Sequence, residues 1–110
     1  IVQMMRDAGA REVHMRIASP PTKHSCFYGV DTPERAKLLA AQMGVGAMRD
    51  YINADSLAFI SIDGLYRALG DSRDASKPQR CDACFTGDYP TALTDVAARE
   101  SGSLSLVASR

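Results

Sequence analysis

The sequence predicts an α/β fold built on a parallel sheet. Three observations predict it. The first is a helix, a glycine and an alternating strand in succession near the start. The second is a proline-rich loop that ends this strand and leads to a strong helix start. The third is a short, continuous apolar run with a capped helix behind it. Alternation of this kind builds parallel sheets with helical crossovers.

Residues 1–8 read as the last turns of a helix, with Val2, Met5 and Arg6 on one face and Gly9 in the left-handed position that closes helices. Glu12 to Ile17 alternates apolar and polar residues, which places Val13, Met15 and Ile17 on one side of a strand. Ser19-Pro20-Pro21-Thr22-Lys23-His24-Ser25 is a loop, because its prolines lack donors and exclude helix before them. Loops at strand ends are where open α/β folds place their ligands.

Thr32-Pro33-Glu34 predicts a helix start, with Thr as N-cap, Pro in the first turn and Glu beside the helix dipole. Ala36, Leu38, Leu39 and Met43 would give that helix its apolar face, and Gly44 and Gly46 would break it. A second helix is expected from about Ala47 to Ile52. Leu57-Ala58-Phe59-Ile60 reads as a buried strand. Ser61 then caps a helix from Ile62 to about Leu69, closed by Gly70. Residues 71–80 are polar and loop-like, and Cys81-Asp82-Ala83-Cys84 follows. The expected division is 1–70 as the trailing part of an α/β domain, 71–91 as a linker with the Cys-x-x-Cys segment, and 92–110 as a mobile tail with at most a weak helix near 92–100.

Bulk properties narrow the function. The 110 residues suffice for one small domain, and Lys+Arg and Asp+Glu are both 13. That balance argues against a nucleic-acid groove or an anionic membrane surface. No apolar run approaches the roughly 20 residues of a membrane span. The chain opens on Ile1-Val2-Gln3-Met4-Met5, an apolar start that suggests a piece of a longer protein. The three cysteines suit a reducing, cytoplasmic compartment better than a disulfide framework.

Cys81 and Cys84 share a tight turn, so both thiolates can reach one iron or zinc centre. A redox pair is the alternative. Cys26 stands apart in the proline-rich loop, where it is either a third ligand or an inert buried thiol. Three thiolates fall one short of a Cys₄ centre. His24 is a conceivable fourth ligand of a Cys₃His zinc site, although an exposed loop histidine is the plainer reading. His14, on the polar side of its strand, reads as a surface residue.

Four stretches then carry a resemblance. They are IVQMMRDAGAREVHMRIASPP at 1–21, HSCFYGVDTP at 24–33, NADSLAFISIDGL at 53–65 and CDACFTGDYPT at 81–91. In this order they resemble the amidophosphoribosyltransferases, the glutamine phosphoribosylpyrophosphate amidotransferases.

The resemblance implies a fragment of a type I phosphoribosyltransferase fold, followed by a C-terminal loop and tail. It implies a cytoplasmic parent glycosyltransferase that makes 5-phosphoribosylamine from phosphoribosyl pyrophosphate and glutamine, with Mg²⁺, at the first committed step of purine synthesis. Ammonia would pass by an internal channel, purine nucleotides would act as effectors, and the parent would be a homotetramer. The family's phosphate loop would precede Ile1 and its glutaminase domain would lie further upstream. No catalytic residue is therefore expected here, and the segment alone would be inactive.

In the iron–sulfur branch of the family, Cys26, Cys81 and Cys84 match three ligands of a structural [4Fe–4S] cluster whose fourth ligand lies outside this chain. Leu38 matches a channel-lining leucine, with ordinary helix packing as its alternative. Tyr28 and Asp31 lie in the Y-G-x-D segment near the family's catalytic cleft. Their alternative is a turn permitted by Gly29, with Asp31 capping the next helix.

Overall fold

The structure is a computed structural model that describes residues 1–94. The expected parallel sheet is present. Strand β1 (His14–Ile17) pairs in parallel with β2 (Ser56–Phe59), with Met15 opposite Leu57 and Ile17 opposite Phe59. The ladder continues past β2, where the Ile60 amide donates to the Ile17 carbonyl at 3.0 Å. A parallel pair needs a long crossover. Here the crossover contains the proline-rich loop, a 3₁₀ turn at Arg35–Lys37, α2 (Leu39–Gln42) and α3 (Val45–Tyr51). Helix α1 (Val2–Asp7) precedes β1, α4 (Ile62–Ala68) follows β2, and α5 (Ala83–Thr86) holds the second motif cysteine.

Most predicted elements stand where the residues placed them, but β2, expected to be buried, is half-buried with Ala58 exposed. Gly9 at φ 98° and Gly70 at φ 74° close α1 and α4 in the left-handed region. Ser61 caps α4 by accepting from the Gly64 amide at 3.0 Å. The region after Thr32 differs. Instead of one helix from the Thr-Pro-Glu start, a 3₁₀ turn and a four-residue helix meet at Leu38, whose backbone is extended (φ −73°, ψ 125°). The cause is competition for the cap. The Thr32 hydroxyl accepts from the Cys26 amide at 2.9 Å, and Ser25 Oγ donates to the Pro33 carbonyl at 2.9 Å. The would-be cap is spent on the preceding loop. Helix α3 also starts earlier than expected, with Gly44 as its N-cap and Gly46 inside its first turn. The tail beyond 94, with most of its expected weak helix, lies outside the described residues.

The core is small. Val2, Val13 and Ala54 form its buried cluster, with Met15 and Ile52 packed against it. One carboxylate ties these parts together. Asp55 Oδ2 accepts from the Val13 amide at 2.7 Å and from Arg6 Nη2 at 2.8 Å, while Arg6 also donates to the Asn53 carbonyl. Asn53 itself adopts φ 57°, a conformation that asparagine tolerates better than most residues. The polar side of β1 is as expected: His14 is exposed and bonds Ser56 Oγ and Glu12. Among the described residues, no helix is long and apolar enough to cross a membrane.

The Val13 amide, opposed by some desolvation and helped by Arg6, holds the Asp55 carboxyl below its ordinary range. A carboxyl with a depressed folded-state value stabilises the fold above its unfolded value, and that contribution is lost as pH falls through the folded one. Asp55→Asn should therefore melt lower than the wild type at neutral pH. Its further loss of Tm between about pH 5 and pH 2 should be smaller than the wild type's. Scanning calorimetry across that range checks both; parallel acid limbs in the two proteins would refute the assignment.

Candidate cysteine site

The proline-rich loop and the Cys-x-x-Cys turn are far apart in sequence and meet in the structure. Lys23 and His24 both donate their amides to the Cys84 carbonyl, at 3.0 and 3.1 Å. Tyr89 Oη donates to the Ser25 carbonyl at 2.7 Å, and the Thr91 amide reaches Tyr28 Oη at 3.3 Å. The rings of Phe27 and Tyr89 meet edge to face with centroids 5.3 Å apart, and Tyr28 lies tilted at 6.3 Å from Tyr89. Gly87, at φ 81°, lets the turn approach closely: a Cβ there would stand 3.0 Å from the His24 ring.

This docking gathers all three cysteines. Each is a free thiol; Cys81 is exposed, and Cys26 and Cys84 are half-buried. The thiols differ in electrostatics. The amides of Tyr28 and Val30 point at Cys26 Sγ, the Tyr28 amide at 3.4 Å, and lower its pKa. Burial pushes the Cys84 thiol up, and the neighbouring Cys81, Cys26 and Asp82 add to the rise. Cys84 is thus within electrostatic reach of both Cys81 and Cys26. Among the described residues, however, no three His, Cys, Asp or Glu side chains stand close enough to share one metal ion. The His24 ring lies against Gly87.

A carboxylate inside the motif anchors the turn. Asp82 Oδ2 accepts from Tyr66 Oη at 2.9 Å and Arg73 Nε at 2.7 Å, and Arg73 Nη2 continues to Asp88 at 2.8 Å. Burial opposes ionisation of Asp82, but the bonds from Arg73, Tyr66 and Thr86 outweigh it and hold the carboxyl below the usual range. Beside this network a cavity of about 520 Å³ opens between the 71–80 loop, Cys81 and Tyr89. A second hollow, of about 350 Å³, lies where the proline-rich loop faces α2 and α3, lined by Pro21, Lys23, Met43 and Met48 among others.

The residues singled out from sequence divide accordingly. Cys26, Cys81, Cys84 and Tyr28 come together. Gly29 takes φ 115°, so the turn in the Y-G-x-D segment exists. Asp31 is exposed and makes no side-chain hydrogen bond among the described residues, so it does not cap the next helix. Leu38 is half-buried at the junction before α2 and takes no part in the bonds of the cysteine site. Asp82, Arg73, Tyr66 and Tyr89 were not singled out. Asp82 and Tyr89 sit within the quoted C-D-A-C-F-T-G-D-Y-P stretch, but nothing local announces that Tyr66, a helix away, bonds Asp82.

No family model matches the chain. Individual proteins do. The chain is 57% identical to an amidophosphoribosyltransferase of Rhizobium etli, over 99% of this chain and 23% of that protein. It is 52% identical to the chloroplastic amidophosphoribosyltransferase 2 of Arabidopsis thaliana, over 93% of this chain and 18% of the relative. In structure it superposes with a TM-score of 0.75 on the glutamine phosphoribosylpyrophosphate amidotransferase of Bacillus subtilis, solved with ADP and GMP, at 48% identity over 84% of this chain and 20% of that one.

The parallel strand pair with its helical crossover is thus a segment of the phosphoribosyltransferase-type amidotransferase fold. Over nearly its whole length the chain is homologous to the amidophosphoribosyltransferases, and it spans about a fifth of the length of the relatives it matches.

Gly87→Ala should cost about 1–2 kcal/mol for a Cβ in the left-handed region and push His24 away, so that Cys26 and Cys84 alkylate faster. Gly70→Ala is the control. It carries the same kind of strain at φ 74°, but a Cβ there meets nothing within 4 Å. It should leave thiol alkylation rates unchanged. Equal rates in both variants would show that the close approach at Gly87 does not hold the loop.

Proposed function

We propose that this chain is part of an enzyme that transfers glutamine-derived ammonia to phosphoribosyl pyrophosphate, giving 5-phosphoribosylamine for purine synthesis. The observation that carries the reading is the identity of 45–57% across nearly the whole chain to amidophosphoribosyltransferases, together with the fold similarity. In this reading the segment contributes no acid, base or nucleophile. Phosphoribosyl pyrophosphate, Mg²⁺ and glutamine would be bound by other parts of a cytoplasmic homotetramer, and purine nucleotides would act as effectors. Leu38 would face the ammonia path, and Tyr28 and Asp31 would border the catalytic cleft.

Cys26, Cys81 and Cys84 would supply three thiolates to a [4Fe–4S] cluster. Three features support this. Cys84 lies within electrostatic reach of both Cys81 and Cys26, two backbone amides already point at Cys26 Sγ, and backbone bonds dock the loop that carries Cys26 onto the Cys84 carbonyl. When bound, the cluster would act as a structural cross-link between the proline-rich loop and the Cys-x-x-Cys turn. Tyr89 and Phe27 cover the join, and the amides at Cys26 offset thiolate charge.

The test uses the full-length protein purified without oxygen. It should release glutamate from glutamine in a manner dependent on phosphoribosyl pyrophosphate, and calorimetry should show binding of that substrate. It should also be brown, with iron and sulfide bound. Cys26→Ser should abolish the colour. A protein that neither binds phosphoribosyl pyrophosphate nor consumes glutamine would overturn the activity. A colourless protein with one equivalent of zinc would overturn the cluster.

A further inference from the structure

Asp82 has an unusual position for a carboxylate. It stands between two thiolate donors, where its charge would repel an anionic centre, yet its side chain is only 12% exposed. It takes bonds on both oxygens. Oδ2 accepts from Tyr66 Oη and Arg73 Nε, and Oδ1 accepts from Thr86 Oγ1 at 3.1 Å. Its own carbonyl accepts the amides of Phe85 and Thr86, at 2.9 and 3.0 Å, so it also starts α5. Through these bonds one residue joins α4, the 71–80 loop and the cysteine turn. Tyr66, its partner on α4, is 6% exposed and cannot follow if the turn moves. Arg73 spans Asp82 and Asp88 and balances the charge the carboxylate brings to the site.

We propose that Asp82 is a positioning residue for the cluster, whose charge-assisted bonds to Arg73 and Tyr66 hold the Cys-x-x-Cys turn, with Cys81 and Cys84, in place beside the docked proline-rich loop. The inference rests on the cluster reading above. A Cys-x-x-Cys turn without such an anchor can swing, and Cys81, the exposed member, would be the first to turn to solvent. Groups that orient metal ligands in this way typically matter by about 10–100-fold in metal affinity. Nothing in the arrangement requires Asp82 to touch a substrate.

The full-length protein, assembled anaerobically, tests it. Iron and sulfide per chain, the visible charge-transfer spectrum, the midpoint potential and the rate of bleaching in air are measured for wild type, Asp82→Asn, Tyr66→Phe and Asp55→Asn. Asp82→Asn keeps the volume but loses the charged pair. It should bleach about tenfold faster than wild type or assemble with less iron. Tyr66→Phe, which removes one donor without opening a cavity, should shift the same readouts in the same direction by less. Asp55→Asn breaks the other carboxylate tie and should lower Tm while leaving spectrum, potential and bleaching unchanged. Wild-type iron, spectrum and bleaching in both Asp82→Asn and Tyr66→Phe would overturn the role. So would equal cluster loss in Asp55→Asn at a matched fall in Tm, which would mark a general stability effect. A wild type without iron would defeat the cluster reading itself, before any variant is compared.

Discussion

The carbonyl of Cys84 is the point on which the site depends. It accepts two successive amides, from Lys23 and His24, and so receives the end of the proline-rich loop. Backbone donors of a loop must find acceptors once water is excluded, and here one oxygen serves both. The consequence reaches beyond those bonds. Cys26 lies two residues after His24, so its distance from Cys84 is fixed within a short tether. The Tyr89–Ser25 bond and the Phe27–Tyr89 contact close the same join from the other side. Secondary structure alone would leave the loop and the turn as separate surface segments.

This dependence also explains what could be read from the residues alone. The strands, the Ser61 cap and the glycine closures were legible, because each rests on local chemistry: alternation, a hydroxyl next to orphan amides, a left-handed φ. The helix expected after Thr32-Pro33-Glu34 failed because its cap was claimed from outside. Thr32 Oγ1 has one best partner, and the Cys26 amide, in a loop that must turn to meet Cys84, took it. Capping signals describe the helix they serve and are silent about competing donors. Spacing marked Cys81 and Cys84 as candidate donors, whereas Cys26 joined them only through the family resemblance. Their fourth-ligand problem was not soluble from composition, and the identity to proteins about five times longer gives it a setting. Asp82 and Arg73 stayed hidden for a different reason. Polar residues in a polar loop look solvated until the fold shows which of them face inward.

Two carboxylates carry comparable duties at opposite ends of the segment. Asp55 joins α1 to the start of β1, and Asp82 joins α4 to the cysteine turn. In both, an arginine and a protein N–H or O–H converge on one oxygen, and in both the carboxyl is held below its usual range. The buried apolar set is small (Val2, Val13, Met48, Ala54, Tyr66 and Ala83), so packing alone offers few long-range restraints. Charge-assisted bonds are roughly twice as strong as neutral ones and directional, which suits a segment with little core. They also make it sensitive to acid, since each such tie weakens when its carboxyl is protonated.

The electrostatics of the thiols extend this logic to the proposed cluster. Cys26 has its thiolate favoured by amides, whereas Cys84 has its thiolate disfavoured by burial and by the charges around it. Left bare, Cys26 would ionise more readily than Cys84. The positive iron ions of the proposed cluster would offset that asymmetry, because thiolate is the ligand form and metal charge opposes the repulsion between neighbouring thiolates. The cost of gathering three thiolates and a carboxylate would then be offset at the site itself. Without such a centre, burial and the nearby charges work against ionisation of Cys84. Arg73 meanwhile answers the charge of Asp82 and Asp88 from within the protein.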